Sequence, residues 1–233
     1  MARPPADLGA IIVAAGSGSR MGGIDKLFTP VAGRPLLAHS VAAFQGSPVV
    51  KRIVLVLAPD NLENGRRLVS EHGFDKAIVC AGGPRRQDSV RLGLEALGGC
   101  DYVAVHDGGR PLVSGDLIVR GLKAARQTGA AVPAVPLVDT VKEADPDRIV
   151  TRTVDRSRLW AVQTPQVFRY DILWRAHQEV TADVTDDAAM LEALGIPVKL
   201  FEGSRRNIKV TTPEDLEIVR ALIESGQWTV DSG

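Results

Sequence analysis

The chain has 233 residues, of which 45% are hydrophobic and 24% charged, and its 28 basic residues balance its 28 acidic ones. This composition is typical of a globular domain and excludes collagen-like, disordered and disulfide-dense classes. With no net charge, the chain lacks the broad basic surface that nucleic acids and membranes attract. Only 4% of the residues are aromatic, which argues against a base-stacking surface for single strands.

The cysteines and the N-terminal segment favour a cytoplasmic protein. Cys80 and Cys100 have no metal-ligand spacing, and two thiols in a chain of this length do not form a disulfide framework. The apolar run at 8–15 is much shorter than the roughly 20 residues that span a bilayer. No signal-peptide pattern accompanies it. We expect one domain over residues 1–233 that needs neither a nucleic acid nor a membrane as partner.

Short apolar runs alternate with segments of helical periodicity in the first half of the chain. Strands are predicted at 11–14, 53–57, 77–80 and 102–105, and helices at 36–45, 61–71, 88–97 and 114–128. Near-continuous apolar strands, each followed by a helix, are typical of a parallel sheet that is covered on both faces. The predicted fold class is α/β, with a doubly wound, mostly parallel sheet.

The pattern changes after Pro136. Polar and β-branched residues alternate at about 138–160 around a turn signal at 145–147, which predicts a two-stranded arm. An isolated hairpin is marginally stable in water, so we expect the arm to pack against a second copy of the chain.

Three helices are predicted in the last third of the chain, at 170–180, at 186–194 and after residue 212. Thr212 has the features of an N-cap, with Pro213 and Asp215 in the first turn and Gly226 beyond the end. Asp186 and Asp187 are interpreted as partners of a helix dipole. His39, His72 and His177 lack metal-ligand spacing and are interpreted as structural or surface residues.

A glycine-rich loop, 14–26, follows the first predicted strand. Glycines at that position let backbone N–H groups approach a phosphate. Met21 stands where a dinucleotide fingerprint needs glycine, and the Gly-Lys-Ser/Thr of a P-loop is absent from the sequence. Arg20 and Lys26 suit the anionic transition state of phosphoryl or nucleotidyl transfer. The alternative is an ordinary flexible loop with solvated charges.

Two more loops combine glycine with charge after predicted strands. In the loop at 81–90, paired glycines and arginines could reach a base or a phosphate, although Asp88 or Ser89 could simply cap a helix. In the loop at 105–111, Asp107 could accept Mg²⁺, water or a hydroxyl, and Arg110 could clamp a phosphate. Three such loops after parallel strands favour an anion-binding site over three solvated faces.

The order of these motifs resembles the 2-C-methyl-D-erythritol 4-phosphate cytidylyltransferase family. The Arg-Met and Lys pattern of the first loop is shared by many sugar-phosphate nucleotidylyltransferases, whereas 153–156 (TVDR) and 207–211 (NIKVT) are more specific. The resemblance covers nearly the whole chain and is carried by residues 14–21, 26, 82–90, 106–111, 139–142, 153–156, 159–160, 163–166, 185–188 and 207–211.

The resemblance implies a Rossmann-like sheet of the nucleotide-diphospho-sugar transferase type and a homodimer joined through the arms. It also implies that the phosphate of methylerythritol phosphate attacks the α-phosphorus of CTP in the presence of Mg²⁺. The metal is expected mainly on the CTP phosphates, with Asp107 as a candidate ligand. Two alternatives stay open: a cytidylyltransferase for ribitol 5-phosphate or another polyol phosphate, and a nucleotide-binding regulator without turnover.

The resemblance also assigns roles to individual residues, transferred by position. The implied catalytic residues are Arg20, Lys26, Lys209 and Arg156, the last reaching across from the partner's arm. The implied CTP contacts are Ala14, Ala15, Gly16, Gly18, Gly83, Arg86 and Ser89. The implied contacts to methylerythritol phosphate are Asp107, Arg110, Thr164 and Thr185.

Overall fold

The computed structural model describes residues 7–16 and 26–226. The strands are β1 Leu8–Ala14, β2 Pro30–Val31, β3 Arg34–Pro35, β4 Val50–Leu57, β5 Ala77–Ala81, β6 Tyr102–Asp107, β7 Ala130–Pro136, β8 Val141–Ala144, β9 Val150–Val154, β10 Trp160–Val162, β11 Gln166–Arg169 and β12 Lys199–Glu202. The helices are α1 Leu36–Gly46, α2 Leu62–Glu71, α3 Arg86–Leu97, α4 Gly115–Thr128, α5 Tyr170–Glu179, α6 Asp187–Ala193 and α7 Pro213–Glu224.

One sheet organises the fold, in the order β10-β7-β11-β6-β1-β4-β5, with β12 also paired to β7. The strands β6, β1, β4 and β5 run parallel, as does β12 against β7. Only β10 and β11 run antiparallel to their neighbours in this sheet, among the described residues. The predicted α/β class with a mostly parallel sheet is therefore confirmed.

The central strand β1 is buried on both faces, which explains its unbroken apolar sequence. Ile11 points to one side and packs in a cluster with Val56 and Leu94. Ile12 points to the other side and belongs to a cluster that contains Phe44. Alternate side chains of a strand face opposite sides of the sheet, so helices must cover both faces to bury them.

The parallel register brings three loops to one edge of the sheet. Ala14 at the end of β1 pairs with Leu57, and Leu57 pairs with Ala81 at the end of β5. On the other side of β1, Val13 pairs with Asp107, the last residue of β6. The segments that follow β1, β5 and β6 therefore leave the sheet side by side, as expected for three anion-binding loops.

The arm forms over a shorter range than the sequence predicts. Strands β8 and β9 pair antiparallel from Val141 with Val154 to Ala144 with Val150. Trp160, expected at the end of the arm, instead begins β10 and pairs with Pro136 of β7 in the main sheet. Strand β7 itself was not predicted, because its alanines and prolines hide the usual β-branched pattern.

The predicted helices all form within two residues of their expected bounds. At the start of α7, the Thr212 hydroxyl accepts the Asp215 N–H at 3.2 Å, and Asp215 Oδ2 accepts the Thr212 N–H at 2.9 Å. This reciprocal capping box confirms the predicted N-cap. No helix in residues 7–16 and 26–226 is long and apolar enough to cross a membrane.

We expect Thr212→Ala to lower the free energy of unfolding by about 1 kcal/mol, because the Asp215 N–H loses its acceptor. Thr212→Ser keeps the hydroxyl and should unfold at nearly the same urea concentration as the unaltered protein. Equilibrium unfolding in urea measures both variants, and equal midpoints for the alanine and serine variants would contradict this role of the hydroxyl.

Candidate functional site

Two adjoining cavities lie at the edge of the sheet where β1, β5 and β6 end. The larger has a volume of about 510 Å³ and is lined by Val13, Ala14, Ala15, Gly16, Lys26, Leu27, Gly83, Pro84, Arg85, Arg86, Ser89, Asp107, Gly109, Lys209 and Val210. The smaller, of about 230 Å³, is lined by Arg86, Asp107, Arg110, Val162, Gln163, Thr164, Gln166, Thr185, Asp186 and Lys209. Arg86, Asp107 and Lys209 line both cavities and form the wall between them.

Most residues singled out in the sequence meet at these cavities, even though they are far apart in the chain. The larger cavity collects Ala14, Ala15, Gly16, Lys26, Gly83, Arg86, Ser89, Asp107 and Lys209. The smaller collects Arg86, Asp107, Arg110, Thr164, Thr185 and Lys209. Gly18 and Arg20 lie outside the described residues. Arg156 lines neither cavity and donates a hydrogen bond to the Val138 carbonyl beside the arm.

The loop after β5 packs closely against the loop after β1 because residue 82 has no side chain. A Cβ at Gly82 would lie 2.4 Å from the Ala15 Cβ and 2.7 Å from the Ser89 hydroxyl. Ser89 accepts the Gly83 N–H at 3.1 Å, so its hydroxyl holds the loop against the start of α3. The capping alternative is correct for Asp88, whose Oδ2 accepts the Arg85 N–H at 3.2 Å.

Asp107 is surrounded by three cations. Its carboxylate lies 2.9 Å from Lys209 Nζ, 3.5 Å from Arg110 Nε and 3.7 Å from Arg86 Nε. Burial raises the pKa of Asp107, but attraction by Lys209, Arg86 and Arg110 outweighs burial and lowers the pKa to about 2. Three positive charges face two carboxylates here, because Asp187 also contacts Arg86, and the remaining positive charge favours the binding of anions.

The two lysines implied as catalytic reach the same cavity from opposite ends of the chain. Lys26 Nζ donates to the Val210 carbonyl at 2.8 Å, directly beside Lys209. The Val210 N–H in turn donates to the Gly109 carbonyl at 2.8 Å, in the loop after β6. Lys26 and Lys209 both line the larger cavity, together with Gly16.

His106 supports the site from inside the sheet, a role that the sequence analysis missed. The Thr164 hydroxyl accepts the Asp107 N–H at 3.0 Å and lies 3.1 Å from His106 Nδ1. His106 Nε2 lies 3.2 Å from the Arg110 carbonyl, which can only accept, so Nε2 carries the proton and Nδ1 accepts from Thr164. Burial lowers the pKa of His106 to about 4, so the ring is neutral near pH 7. The sequence did contain a signal for this role, because a histidine within an apolar strand is buried and a buried histidine needs hydrogen-bond partners.

The two aspartates at the start of α6 have different contacts. Asp186 Oδ1 accepts the Ala189 N–H at 3.0 Å, so the expectation of a helix-terminal role is correct for this residue. Asp187 lies in the first turn of α6, as expected of a partner of the helix dipole. Its buried carboxylate also lies 2.7 Å from Arg86 Nη1 and 3.5 Å from His177 Nε2, contacts that the sequence did not predict.

Two glutamines hold the loop that carries Thr185. Gln87 Oε1 accepts the Val184 N–H at 3.3 Å, on the side of α3. Gln166 Nε2 donates to Asp186 Oδ2 at 2.7 Å, on the side of β11. The loop is thus fixed immediately before and after Thr185, which places this residue at the rim of the smaller cavity.

Comparison with known proteins agrees with this geometry. The family model described as "IspD: 2-C-methyl-D-erythritol 4-phosphate cytidylyltransferase" matches residues 8–225. The chain belongs to this family. It is similar to the 2-C-methyl-D-erythritol 4-phosphate cytidylyltransferase of Dehalococcoides mccartyi (strain CBDB1), with 51% identity over 94% of this chain and 97% of the relative. As a member of the family, the chain is a nucleotidyltransferase.

Solved structures from the same family have this fold. The crystal structure of the 4-diphosphocytidyl-2C-methyl-D-erythritol synthase from Anaerococcus prevotii matches with a TM-score of 0.83 and 29% identity, over 94% of this chain and 97% of that one. The cytidylyltransferase structure from Thermus thermophilus matches with a TM-score of 0.77 and 35% identity, over 92% of this chain and 98% of that one. The IspD-type α/β fold is therefore established for nearly the whole chain.

We expect Thr164→Val to lower the free energy of unfolding by about 1–3 kcal/mol, because it leaves the Asp107 N–H and His106 Nδ1 without a partner inside the protein. Thr164→Ser retains the hydroxyl and should recover most of that loss. Urea unfolding of the two variants side by side gives the comparison. A valine variant as stable as the serine variant would mean that the hydroxyl does not hold these two groups together.

Proposed function

We propose that the protein transfers CMP from CTP to 2-C-methyl-D-erythritol 4-phosphate, releasing pyrophosphate, as a step of non-mevalonate isoprenoid biosynthesis in the cytoplasm. An oxygen of the acceptor phosphate forms a bond to the α-phosphorus of CTP, and the bond from that phosphorus to the β-phosphate oxygen breaks. The observation that carries the proposal is the cationic wall of Arg86 and Lys209, shared by two cavities of unequal size in a chain of this family.

The larger cavity suits the nucleotide. Its volume is about 510 Å³, and the Gly16 and Gly83 backbones line it without a side chain in the way. Backbone N–H groups in such loops can approach phosphates closely. Ala14, Ala15 and Ser89 complete the CTP contacts in this proposal, Ser89 by holding the loop as well as by lining the cavity.

The smaller cavity, of about 230 Å³, suits a polyol phosphate. Arg110 and Lys209 supply positive charge for the acceptor phosphate at its wall. Asp107, ionised at neutral pH, can accept hydrogen bonds from hydroxyl groups, and Thr185 lies at the rim. Thr164 lines the cavity too, and its hydroxyl acts on the substrate indirectly by holding the Asp107 backbone.

The reaction needs no nucleophile from the protein, because the acceptor phosphate provides one. The difficulty is that two anions must approach each other, so positioning and charge neutralisation carry the catalysis. Lys26 and Lys209, which line the larger cavity, would stabilise the charge that develops on the phosphates. Arg20, of the same glycine-rich loop as Lys26, and Arg156 of the partner subunit would contribute to this stabilisation in the proposal. Arg86, between the cavities, would contact the nucleotide phosphates at the point where the acceptor enters.

A divalent metal would enter the site bound to the nucleotide. The described residues contain no group of three or more His, Cys, Asp or Glu side chains that could hold a metal ion. Asp107 is a single ionised carboxylate at the cavity, and three cations already surround it. Mg²⁺ retains water and takes few protein ligands, so the triphosphate would hold it. Asp107 would serve as a protein ligand only in exchange for one of its cationic neighbours. When bound, the metal neutralises part of the triphosphate charge.

The arm supports a homodimer. Ile149 at its turn is 64% exposed and Val150 is 54% exposed, although both are large apolar side chains. Val138, beside the arm, is 56% exposed as well. A hairpin with bare apolar residues gains stability by packing against another surface, and a second copy of the chain provides one. Arg156 follows the arm directly, so a dimer of this kind could bring it to the partner's cavities.

With CTP, Mg²⁺ and methylerythritol phosphate, we expect the purified protein to release pyrophosphate and to form the cytidine diphosphate ester. Ribitol 5-phosphate in the same assay should give much slower release. Lys26→Ala should lower kcat by about 10²–10³-fold, the usual cost of removing one preorganised stabilising group. The measurement is pyrophosphate release with mass analysis of the product.

Lys123→Ala, on the exposed side of α4, is the control and should keep full activity. Faster turnover with ribitol 5-phosphate would change the proposed acceptor. Binding of CTP without turnover by either acceptor would favour a nucleotide-binding regulator. Full activity of Lys26→Ala would refute the role of that lysine while leaving the proposed reaction intact.

Mixed dimers test the transfer of Arg156 between subunits. Lys26→Ala and Arg156→Ala should each be nearly inactive alone, but a heterodimer of the two has one site with both Lys26 and a partner's Arg156. After exchange of equal amounts, about half of the dimers are mixed and half of their sites are intact, so about a quarter of the unaltered activity should return. No recovery, with subunit exchange verified by differently tagged chains, would place Arg156 in its own subunit's site. Full activity of Arg156→Ala alone would place it outside the reaction.

A further inference from the structure

We propose that Asp187 is a positioning residue, which holds the Arg86 guanidinium at the wall between the two cavities and thereby aligns it with both reacting phosphates. The assignment of those phosphates to the cavities rests on the proposed function. The contact between Asp187 and Arg86 does not.

Arg86 is held from two sides. Its Nη1 lies 2.7 Å from Asp187 Oδ2, and its Nε lies 3.7 Å from Asp107 Oδ1. The Arg86 side chain is still 28% exposed, and it lines both cavities. The guanidinium therefore keeps one side open to ligands while the carboxylates fix its orientation.

Asp187 acts only through Arg86, because it does not reach either cavity. Its side chain is 1% exposed, and it is absent from the lining of both cavities. Burial raises the pKa of this carboxyl, but Arg86 and His177 outweigh burial and keep the pKa below its usual value. A buried carboxylate without a cation lowers the stability of the folded protein. Arg86 compensates the Asp187 charge, and the same contact restricts the orientation of the Arg86 guanidinium.

His177 and Gln87 make contacts on either side of the Arg86–Asp187 pair. His177 Nε2 faces its second oxygen at 3.5 Å, with 2% of the histidine side chain exposed. Gln87, next to Arg86, bonds to the backbone of Val184 and Ala182 at 3.3 Å each. The start of α3 and the segment before α6 are thus connected on the side of Arg86 and Asp187.

A neighbouring pair provides a matched comparison. Arg85 Nη1 contacts Asp183 Oδ1 at 2.8 Å, one residue before Arg86 and four before Asp187. Asp183 is 81% exposed, and Arg85 also bonds to Asp88. Exposed ion pairs of this kind contribute little to stability. The same aspartate-to-asparagine change should therefore lower kcat/KM strongly at position 187 and hardly at position 183.

Asp187→Asn keeps the shape of the side chain and removes its charge. We expect kcat/KM for CMP transfer to fall roughly tenfold to hundredfold, the range for loss of a charge-assisted hydrogen bond. Asp183→Asn should stay within about twofold of the unaltered protein. In the background of Arg86→Gln, Asp187→Asn should cause no further loss, because the group that it positions is already gone.

A purely structural role predicts a different pattern. Asp187→Asn would then lower the stability but leave kcat/KM per folded molecule unchanged, or its effect would multiply that of Arg86→Gln. Either result overturns the proposal. If Asp187→Asn alone does not fold, the double variant, which removes both buried charges, supplies the comparison with Arg86→Gln.

The Arg86 guanidinium can also be followed without turnover. In ¹⁵N NMR spectra of arginine side chains, the Nε–H signal that disappears in Arg86→Gln belongs to Arg86. We expect Asp187→Asn to shift this signal and to accelerate its exchange with water, whereas Asp183→Asn leaves it in place. An unmoved Arg86 signal in Asp187→Asn refutes the positioning role. Failure of the unaltered protein to transfer CMP would refute the proposed function and leave this readout valid.

Discussion

Repulsion among like charges is the constraint on which the site depends. Arg86, Arg110 and Lys209 all lie within 3.7 Å of one carboxylate, that of Asp107, and such cations stay together only while an anion lies between them. Asp107 holds the centre of the group and Asp187 holds Arg86 from behind. The hollow is left with more positive than negative charge, which is the condition for binding polyanions from a chain with no net charge.

The sheet makes this concentration of charge possible in structural terms. Parallel strands end at the same edge, so the residues that directly follow β1, β5 and β6 lie close together at that edge. The backbone polar groups of those strands are paired in the ladder, and the core lies on both faces. Asp107 ends β6 and Arg86 begins α3, whereas Lys26, Arg110 and Lys209 lie in the connections beside them. Charges placed at the edge of one sheet suit a reaction that depends on position more than on a reactive side chain.

Local patterns in the sequence were sufficient to predict the three loops and their charged residues, whereas Thr164, Thr185 and Lys209 were implied only by the family resemblance. Each loop follows an apolar strand, and glycine next to Arg, Lys or Asp is visible without knowledge of the fold. Strand β7 was missed because Pro133 and Pro136 interrupt its apolar pattern. Strand β12 was missed because its partner in the sheet is distant in the chain: Lys199 pairs with Ala131, 68 residues earlier. The pairing of Asp187 with Arg86 was missed because the two residues are 101 positions apart, whereas local spacing showed only the position of Asp187 in the first turn of a helix.

The buried imidazole of His106 sets how the scaffold responds to acidity. Its pKa of about 4 keeps the ring uncharged through the interval, near pH 6, in which the dianion of a phosphate monoester takes up one proton and becomes the monoanion. The relay from the Asp107 amide through Thr164 to the Arg110 carbonyl therefore keeps one hydrogen-bonding direction throughout that interval. Sensitivity of the rate to mild acid would then reflect the ionisation of the acceptor more than a rearrangement of the loop after β6.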